Sequence, residues 1–178
     1  MDANGLIESL TPLVPGAAFE ACPSVDFATV YVSAENLVAT CLALRDSLGF
    51  EVLVEVTAAD YLPRVPRYEV VYHFLSVAHR RRLRLKVRVT ADGTVPTVQE
   101  VYPGAGWLER EVWDMFGIVF DGHPDLRRLL MPEDWEGHPQ RKDYPVQIHK
   151  TAQTYAPLEL SEQQFRANLE RDRVKRTH

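Results

Sequence analysis

The sequence predicts an α+β fold, an antiparallel or mixed β-sheet with helices packed on one side, followed by an extended C-terminal arm. Three observations lead there. Apolar residues recur first at helical spacing and then, over consecutive segments, at strand spacing, an αβα order followed by a run of strands. Residues 80–89 hold the cleanest alternation of basic and apolar residues in the chain. After Gly117 the periodicity stops and prolines accumulate, with five of the chain's 12 falling within residues 118–160. The expected division is an α+β domain over residues 1–116 and an arm over residues 117–178.

The elements follow in order. Leu6, Ile7, Leu10 and Leu13 lie on one side of a short amphipathic helix that Pro15-Gly16 ends. Phe27 to Val32 is apolar or β-branched and reads as a strand. Ser33 is placed to cap a helix whose Leu37, Cys41, Leu44 and Leu48 share a face, with Gly49 as its stop. In Glu51 to Thr57, three valines face one way and Glu51 and Glu55 the other. Tyr68 to Val77 is apolar on both faces, as a central strand is. Between Arg80 and Val89, residues Arg80, Arg82, Arg84, Lys86 and Arg88 share one face, and Leu83, Leu85, Val87 and Val89 the other. Asp92-Gly93 is a hairpin signal, so Val95 to Tyr102 is expected to return beside that strand as a weak edge containing Pro96.

Trp107 to Phe116 predicts a short helix that Gly117 stops. Leu108, Val112, Trp113, Met115 and Phe116 fill one arc of it, and Arg110 and Asp114 fall opposite. Glu109 falls inside the apolar arc, where a carboxylate must find a partner or shift its pKa. Within residues 118–160 only Pro124 is placed to open a turn of helix, with Leu126, Leu129 and Leu130 along one side. The remainder carries Phe120, Trp135, Tyr144, Ile148 and Tyr155, too much apolar area to leave in water. An arm that gains its order by lying along another surface accounts for both features. Ser161 with Gln164 resembles a capping box for a last helix bearing Phe165 and Leu169.

Composition narrows the function. The chain has 178 residues and a net charge of −5, the size of one domain with an appendage. Charge is uneven: residues 1–60 carry nine acids and one base, whereas residues 61–106 carry eight bases and three acids. Such asymmetry suggests charged patches that face partners. Cys22 and Cys41 form neither a disulfide framework nor a CxxC pair, and Cys41 reads as a small core residue. The start has no basic and apolar leader, and no stretch approaches the ~18 apolar residues of a spanning helix. A cytosolic protein, or one peripheral on a cytosolic membrane face, is expected.

Chemistry-bearing motifs are sparse. No phosphate loop or nucleophile elbow is present, and Gly104-Ala105-Gly106 is followed by Glu109 where a dinucleotide fingerprint needs glycine. His123 and His138 each stand between glycine and proline, and turns with the imidazole bonded to backbone are favoured over a shared metal. Glu109, Glu111 and Asp114 spread around their helix instead of converging. The basic strand is a phosphate-attracting stripe, but it lacks interleaved aromatics, and Glu51 and Glu55 are candidate neighbours to neutralise it.

One string stands apart from these generic readings. It runs Glu109-Arg110-Glu111-Val112-Trp113-Asp114-Met115-Phe116-Gly117-Ile118, then Phe120-Asp121-Gly122-His123-Pro124-Asp125-Leu126-Arg127-Arg128-Leu129-Leu130. Pro132-Glu133-Asp134-Trp135-Glu136-Gly137-His138-Pro139 and Arg141-Lys142-Asp143-Tyr144-Pro145 follow. It resembles the signature of the C subunit of respiratory NADH-quinone oxidoreductase (complex I), the 30 kDa subunit family. Gln140 stands where that family usually has leucine.

The resemblance implies a non-catalytic structural subunit of the hydrophilic arm, peripheral on the cytoplasmic side of the membrane. It implies no cofactor in this chain, with FMN and iron–sulfur clusters carried by partner subunits. The implied partners are the D subunit, which forms the quinone site, and the B subunit, which bears the terminal cluster, with no nucleic acid. Electrons would pass from NADH to quinone through other chains, coupled to proton translocation. Within the signature, Glu109 is expected to pair with Arg127 or Arg128. Trp113, Phe116 and Trp135 are expected to be packing anchors. Arg127, Arg128, Arg141 and Lys142 are expected to bond a partner's backbone or carboxylates. The equivalent subunit of an energy-converting hydrogenase, a formate hydrogenlyase or another quinone-reducing complex shares this signature and stays as an alternative. A nucleic-acid-binding module using strand 80–88 is a distant one.

Overall fold

Helix α1 (Ala3–Leu10) starts where the Asp2 carboxylate accepts from the Gly5 N–H at 3.0 Å, and its Leu6 and Leu10 are fully buried. The structure is a computed structural model and describes residues 2–145. Strands β1 (Glu20–Cys22) and β2 (Ala28–Tyr31) pair antiparallel. A 3-10 turn over Ala34–Asn36 then feeds helix α2 (Leu37–Asp46). Leu37, Cys41 and Leu44 bury completely, as their spacing predicts, and Gly49 leaves the helix at φ +67°, a left-handed conformation that suits glycine. Ser33 does not cap the backbone; its Oγ accepts from the Asn36 side chain instead.

Strands β3 (Val52–Asp60), β4 (Tyr68–Ser76) and β5 (Arg81–Val89) form an antiparallel meander. The sheet order is β1-β2-β5-β4-β3, and β2 runs parallel to β5, so the sheet is mixed. Val30, Leu85, Tyr72 and Val56 lie in one row across it and share a core with Leu6 and Leu10 of α1 and Leu37 and Leu44 of α2. Each aliphatic side chain among them contributes about 1.5–3 kcal/mol by leaving water. The α+β architecture with its helices on one face is therefore the one the patterning predicts.

The opposite face carries the cations, and its neutralising acids differ from those expected. Arg84 pairs with Asp26 at 2.9 Å, Lys86 with Glu69 at 3.1 Å and Arg88 with Glu20 at 2.7 Å. The neighbours of β5 are β2 and β4, so Glu51 and Glu55 on the far side of β4 are out of reach. Glu51 instead accepts from the Val77 N–H at 2.8 Å, and Glu55 sits opposite His73. Arg80 is not on the strand: it occupies the β4–β5 turn at φ +51°.

The expected hairpin after β5 does not form. Both flanks of β5 are occupied, so no free edge is left for a returning strand. Only β6 (Thr94–Pro96) is extended, and it pairs in parallel with β7 (Val119–Asp121), on the far side of helix α3 (Ala105–Phe116). No helical turn forms at Pro124. The compact unit runs through Tyr144, so residues 117–144 belong with the α+β domain rather than beginning a separate arm. The capping box at Ser161, its helix, and the anchors Ile148 and Tyr155 lie outside the described residues.

Candidate functional site

Asp114, expected on the open side of α3, is fully buried. Its Oδ2 accepts from three consecutive backbone N–H groups, Leu129 at 3.0 Å and Leu130 and Met131 at 2.8 Å. Its Oδ1 accepts from Arg128 Nη1 at 2.7 Å. These amides are the ones a helical turn after Pro124 would have used, and an ionised carboxylate is the stronger acceptor. Burial pushes the Asp114 carboxyl up, but the amides and Arg128 outweigh it and hold it below the ordinary aspartate value. Arg128 continues inward, donating through Nη2 to the carbonyls of Trp135 at 2.6 Å and Gly137 at 3.0 Å.

The end of α3 is completed by the same segment. A helix leaves its last carbonyls without partners. Here the Asp114 carbonyl meets His138 Nδ1 at 3.0 Å, the Met115 carbonyl accepts from the Gln140 N–H at 3.0 Å, and the Trp113 carbonyl from the Gly117 N–H at 2.8 Å. Gly117 turns the chain at φ +76°, and a Cβ there would sit 2.5 Å from His138 Cδ2, so both conformation and space require glycine. Trp113 meets the His138 ring edge-on at 5.9 Å between centroids. Trp135 stacks on Tyr144 at 6.4 Å, and the Tyr144 hydroxyl donates to the Glu136 carbonyl at 3.1 Å. Gly122 and Gly137 are turn residues of the left-handed region. Pro124 is exposed and Pro139 half-buried beside its histidine.

Arg110, also expected to face outward, lies 8% exposed. It donates to the carbonyls of Arg127 at 3.1 Å and Arg128 at 3.0 Å and stacks on Trp107 at 5.0 Å. The far end of the segment is held by the β3–β4 connection. Arg67 forms paired bonds to Asp60 (3.0 and 2.7 Å) and to Asp143 (2.7 and 3.0 Å). Asp60 also accepts from the Lys142 N–H at 2.8 Å. Arg67 chiefly, with the Lys142 and Leu62 amides, holds the Asp60 carboxyl well below the usual range against its burial.

Glu109 does not pair with Arg127 or Arg128. Arg127 is bound to Asp125 and Arg128 to Asp114, both on the arm's side of α3. Glu109 points the other way: it accepts from the Thr97 hydroxyl and from the Val98 N–H at 2.8 Å, and His123 Nε2 lies 4.0 Å off. Burial raises its pKa; the Thr97 and Val98 bonds and the neighbouring His123 ring work against that rise. His123 Nδ1 accepts from the Asp125 N–H, which leaves Nε2–H to donate to the Gly106 carbonyl at 3.0 Å. Both Gly-His-Pro histidines thus bond backbone, in separate places. Among the described residues no three His, Cys, Asp or Glu side chains are arranged to hold a metal.

The expected partner-binding arginines therefore divide. Arg128 is consumed internally, and Arg141 lies beside Asp143 at 3.4 Å and over the Tyr68 ring at 5.8 Å. Arg127 keeps 70% of its side chain exposed, and Lys142 and Glu111 are exposed as well. Phe116 belongs to the core, whereas Trp107 and Leu130 are 62% and 60% exposed beside the tied segment. As far as Tyr144, the surface along which the arm lies is the chain's own domain. Asp60 and Arg67 are the site residues that the linear pattern did not reveal, since their partner stands 76 or more positions away.

Known proteins resemble this chain over most of its length. The family model described as respiratory-chain NADH dehydrogenase, 30 Kd subunit, matches residues 30–150. The C subunit of NADH-quinone oxidoreductase from Roseiflexus sp. (strain RS-1) is 44% identical over 158 residues, 87% of this chain and 91% of that protein. Its counterpart in Methylobacterium sp. (strain 4-46) is 41% identical over 92% of this chain and 80% of its own length. That of Saccharopolyspora erythraea is 55% identical over 66% of this chain, and the match spans about half, 49%, of that relative. A chain of the membrane-bound sulfane sulfur reductase, an archaeal respiratory membrane complex, shares the fold at a TM-score of 0.69. It is 24% identical, with 89% of this chain and 94% of that chain covered.

Proposed function

The chain belongs to the 30 kDa subunit family of respiratory-chain NADH dehydrogenase, and from that membership we propose that it is a non-catalytic subunit of a proton-translocating NADH-quinone oxidoreductase. Its work is to hold other subunits of the hydrophilic arm in fixed relation. The partners are the D subunit at the quinone site and the B subunit with its terminal cluster. FMN and iron–sulfur clusters reside in other chains, which pass electrons from NADH to quinone. The chain is peripheral and lies on the cytoplasmic side. No helix among the described residues is long and apolar enough to cross a membrane.

The observation that carries this reading is how the signature residues are used. Asp114, Arg128, Arg110, His138 and Asp143 of the signature, with Asp60 and Arg67 outside it, are engaged in ties that pin residues 117–144 to the domain. The pinned segment displays Leu130 and Arg127 at its surface, and α3 displays Trp107. An exposed aromatic, an aliphatic and an exposed guanidinium on a rigid support make an interface patch. The nucleic-acid alternative is disfavoured because Arg84, Lys86 and Arg88 are already neutralised by Asp26, Glu69 and Glu20. The fold shared with the archaeal reductase chain supports, as a second reading, the same structural role in a related respiratory complex with another electron donor.

Affinity purification of the tagged chain from native membranes tests the proposal. Recovery of an assembly with FMN, iron–sulfur proteins and NADH-oxidising activity is the expected result. A preparation with hydrogenase or sulfur-reducing activity would select the second reading. Recovery of the chain alone would remove both.

A further inference from the structure

We infer that the open cleft beside the β4–β5 turn is a docking site for an acidic segment of a partner subunit. The inference rests on the subunit reading above and concerns a surface on which that reading makes no demand. The cleft has a volume of about 650 Å³ and lies between the β2 entrance and the hairpin, away from α3 and its tied segment. Its floor is apolar, built of Phe27, Ala28, Phe50, Leu75 and Leu83. Its rim carries three consecutive guanidiniums, Arg80, Arg81 and Arg82, all exposed.

Charge distinguishes this rim from the rest of β5. Farther along the strand each cation has its acid: Asp26 for Arg84, Glu69 for Lys86 and Glu20 for Arg88. Among the described residues no carboxylate comes within ion-pair distance of Arg80, Arg81 or Arg82; the Arg82 contact is the Phe27 ring, 5.8 Å from its guanidinium carbon. The carboxylate lining the cleft, Asp26, is taken by Arg84, the Ser24 hydroxyl and the Phe27 N–H. Arg80 sits at φ +51°, a left-handed conformation that non-glycine residues rarely adopt, and lines the rim there. Val77, largely exposed, adds to the apolar lining.

Three unpaired guanidiniums over an apolar floor fit a chain with carboxylates beside apolar residues, each guanidinium offering a planar fork to a carboxylate. A bare phosphate backbone would leave that floor in water. The chain's own residues 146–178 suit it poorly, since they carry six bases against four acids.

The test places a photocrosslinking amino acid at Arg81 in the full chain, and the complex is extracted from native membranes before irradiation. The expected result is one crosslinked partner subunit, joined at a stretch that contains Asp or Glu next to an apolar residue. Adding Arg80→Glu and Arg82→Glu should lower the crosslink yield at least fivefold while the chain still copurifies with the complex. A complex that copurifies intact yet gives no crosslink overturns the inference and leaves the subunit reading standing. So does a crosslink to residues 146–178, to a second copy, to lipid or to nucleic acid. A chain that copurifies with nothing overturns both.

Discussion

Arg128 Nη1 lies 2.7 Å from Asp114 Oδ1, and this contact joins the last turn of α3 to the segment that follows it. The pair is not an isolated surface bridge. Asp114 is fully buried, and its second oxygen holds the amides of Leu129, Leu130 and Met131. Arg128 donates through Nη2 to the carbonyls of Trp135 and Gly137. One carboxylate and one guanidinium therefore organise a stretch that has no periodic hydrogen bonding of its own.

Asp114→Asn should uncouple that stretch. The amide keeps an acceptor but loses the charge, leaving Arg128 half-buried without its counter-ion. Removing one partner of such a pair costs about 3 kcal/mol or more. For a chain of this size about 3 kcal/mol corresponds to a loss of roughly 6–12 °C in melting temperature. Limited proteolysis within residues 126–137 should accelerate in parallel. A variant that melts with the parent and resists protease equally would sink the assignment.

Asp114 also predicts an acid limit. Its pKa is lowered on folding, so its stabilisation is present above the ordinary aspartate value and is lost as pH falls through the lowered one. Hydrogen exchange of the Leu129–Met131 amides should remain slow from neutral pH down past pH 4 and then rise steeply once intrinsic rates are corrected for. Constant protection at lower pH would contradict the tie.

Glu109 predicts the opposite slope. Its pKa is raised on folding by burial, so its stabilisation is complete below the ordinary glutamate value and lost as pH rises through the raised one. Glu109→Gln keeps an acceptor for the Val98 N–H and a hydrogen-bond partner for Thr97. Urea midpoints of parent and variant should meet at low pH and separate as pH rises, with the variant the more stable. Parallel curves would show that Glu109 titrates normally.

These two acids mark where the sequence is legible and where it is not. The spacing of Leu37, Cys41 and Leu44, and the alternation of Leu83 to Val89, report burial directly, because a period of 3.6 or 2 has one physical cause. A helical wheel knows only the helix. It assigns Asp114 and Arg110 to solvent because residues 127–131, which cover them, are absent from the wheel. It identifies Glu109 as buried yet cannot supply the Val98 N–H, since a backbone amide has no residue type. Strand β1 escaped for a similar reason: three residues pairing with one neighbour carry no period. The parallel pairing of β6 with β7 is set by which edges the larger sheet leaves open. The signature string itself identified the family, because so many unlike residues must agree.

The Arg67 clamp should be specific to its planar fork. Arg67→Lys retains the charge but cannot bond Asp60 and Asp143 in pairs. The Lys142 N–H, bonded to Asp60 Oδ2, should lose at least tenfold in exchange protection, while amides at Leu129–Met131 keep theirs. Loss of protection in both places would mean that the two anchors act as one.

Gly117 offers the sharpest steric test, because a control lies at the other end of the same helix. Alanine at Gly117 must hold φ near +76°, which costs about 1–2 kcal/mol, and its Cβ falls 2.5 Å from the His138 ring. The ring cannot withdraw freely, for its Nδ1 is bonded to the Asp114 carbonyl and its edge meets Trp113. Alanine at Gly104 meets nothing within 4 Å, and the backbone there is at φ −65°. Gly104→Ala should therefore be neutral or slightly stabilising, by less than about 1 kcal/mol, since alanine loses less backbone entropy. Gly117→Ala should destabilise by about 2–4 kcal/mol and shift the tryptophan fluorescence as Trp113 loses its histidine contact. Equal melting temperatures for the two variants would mean that the turn and His138 are not coupled.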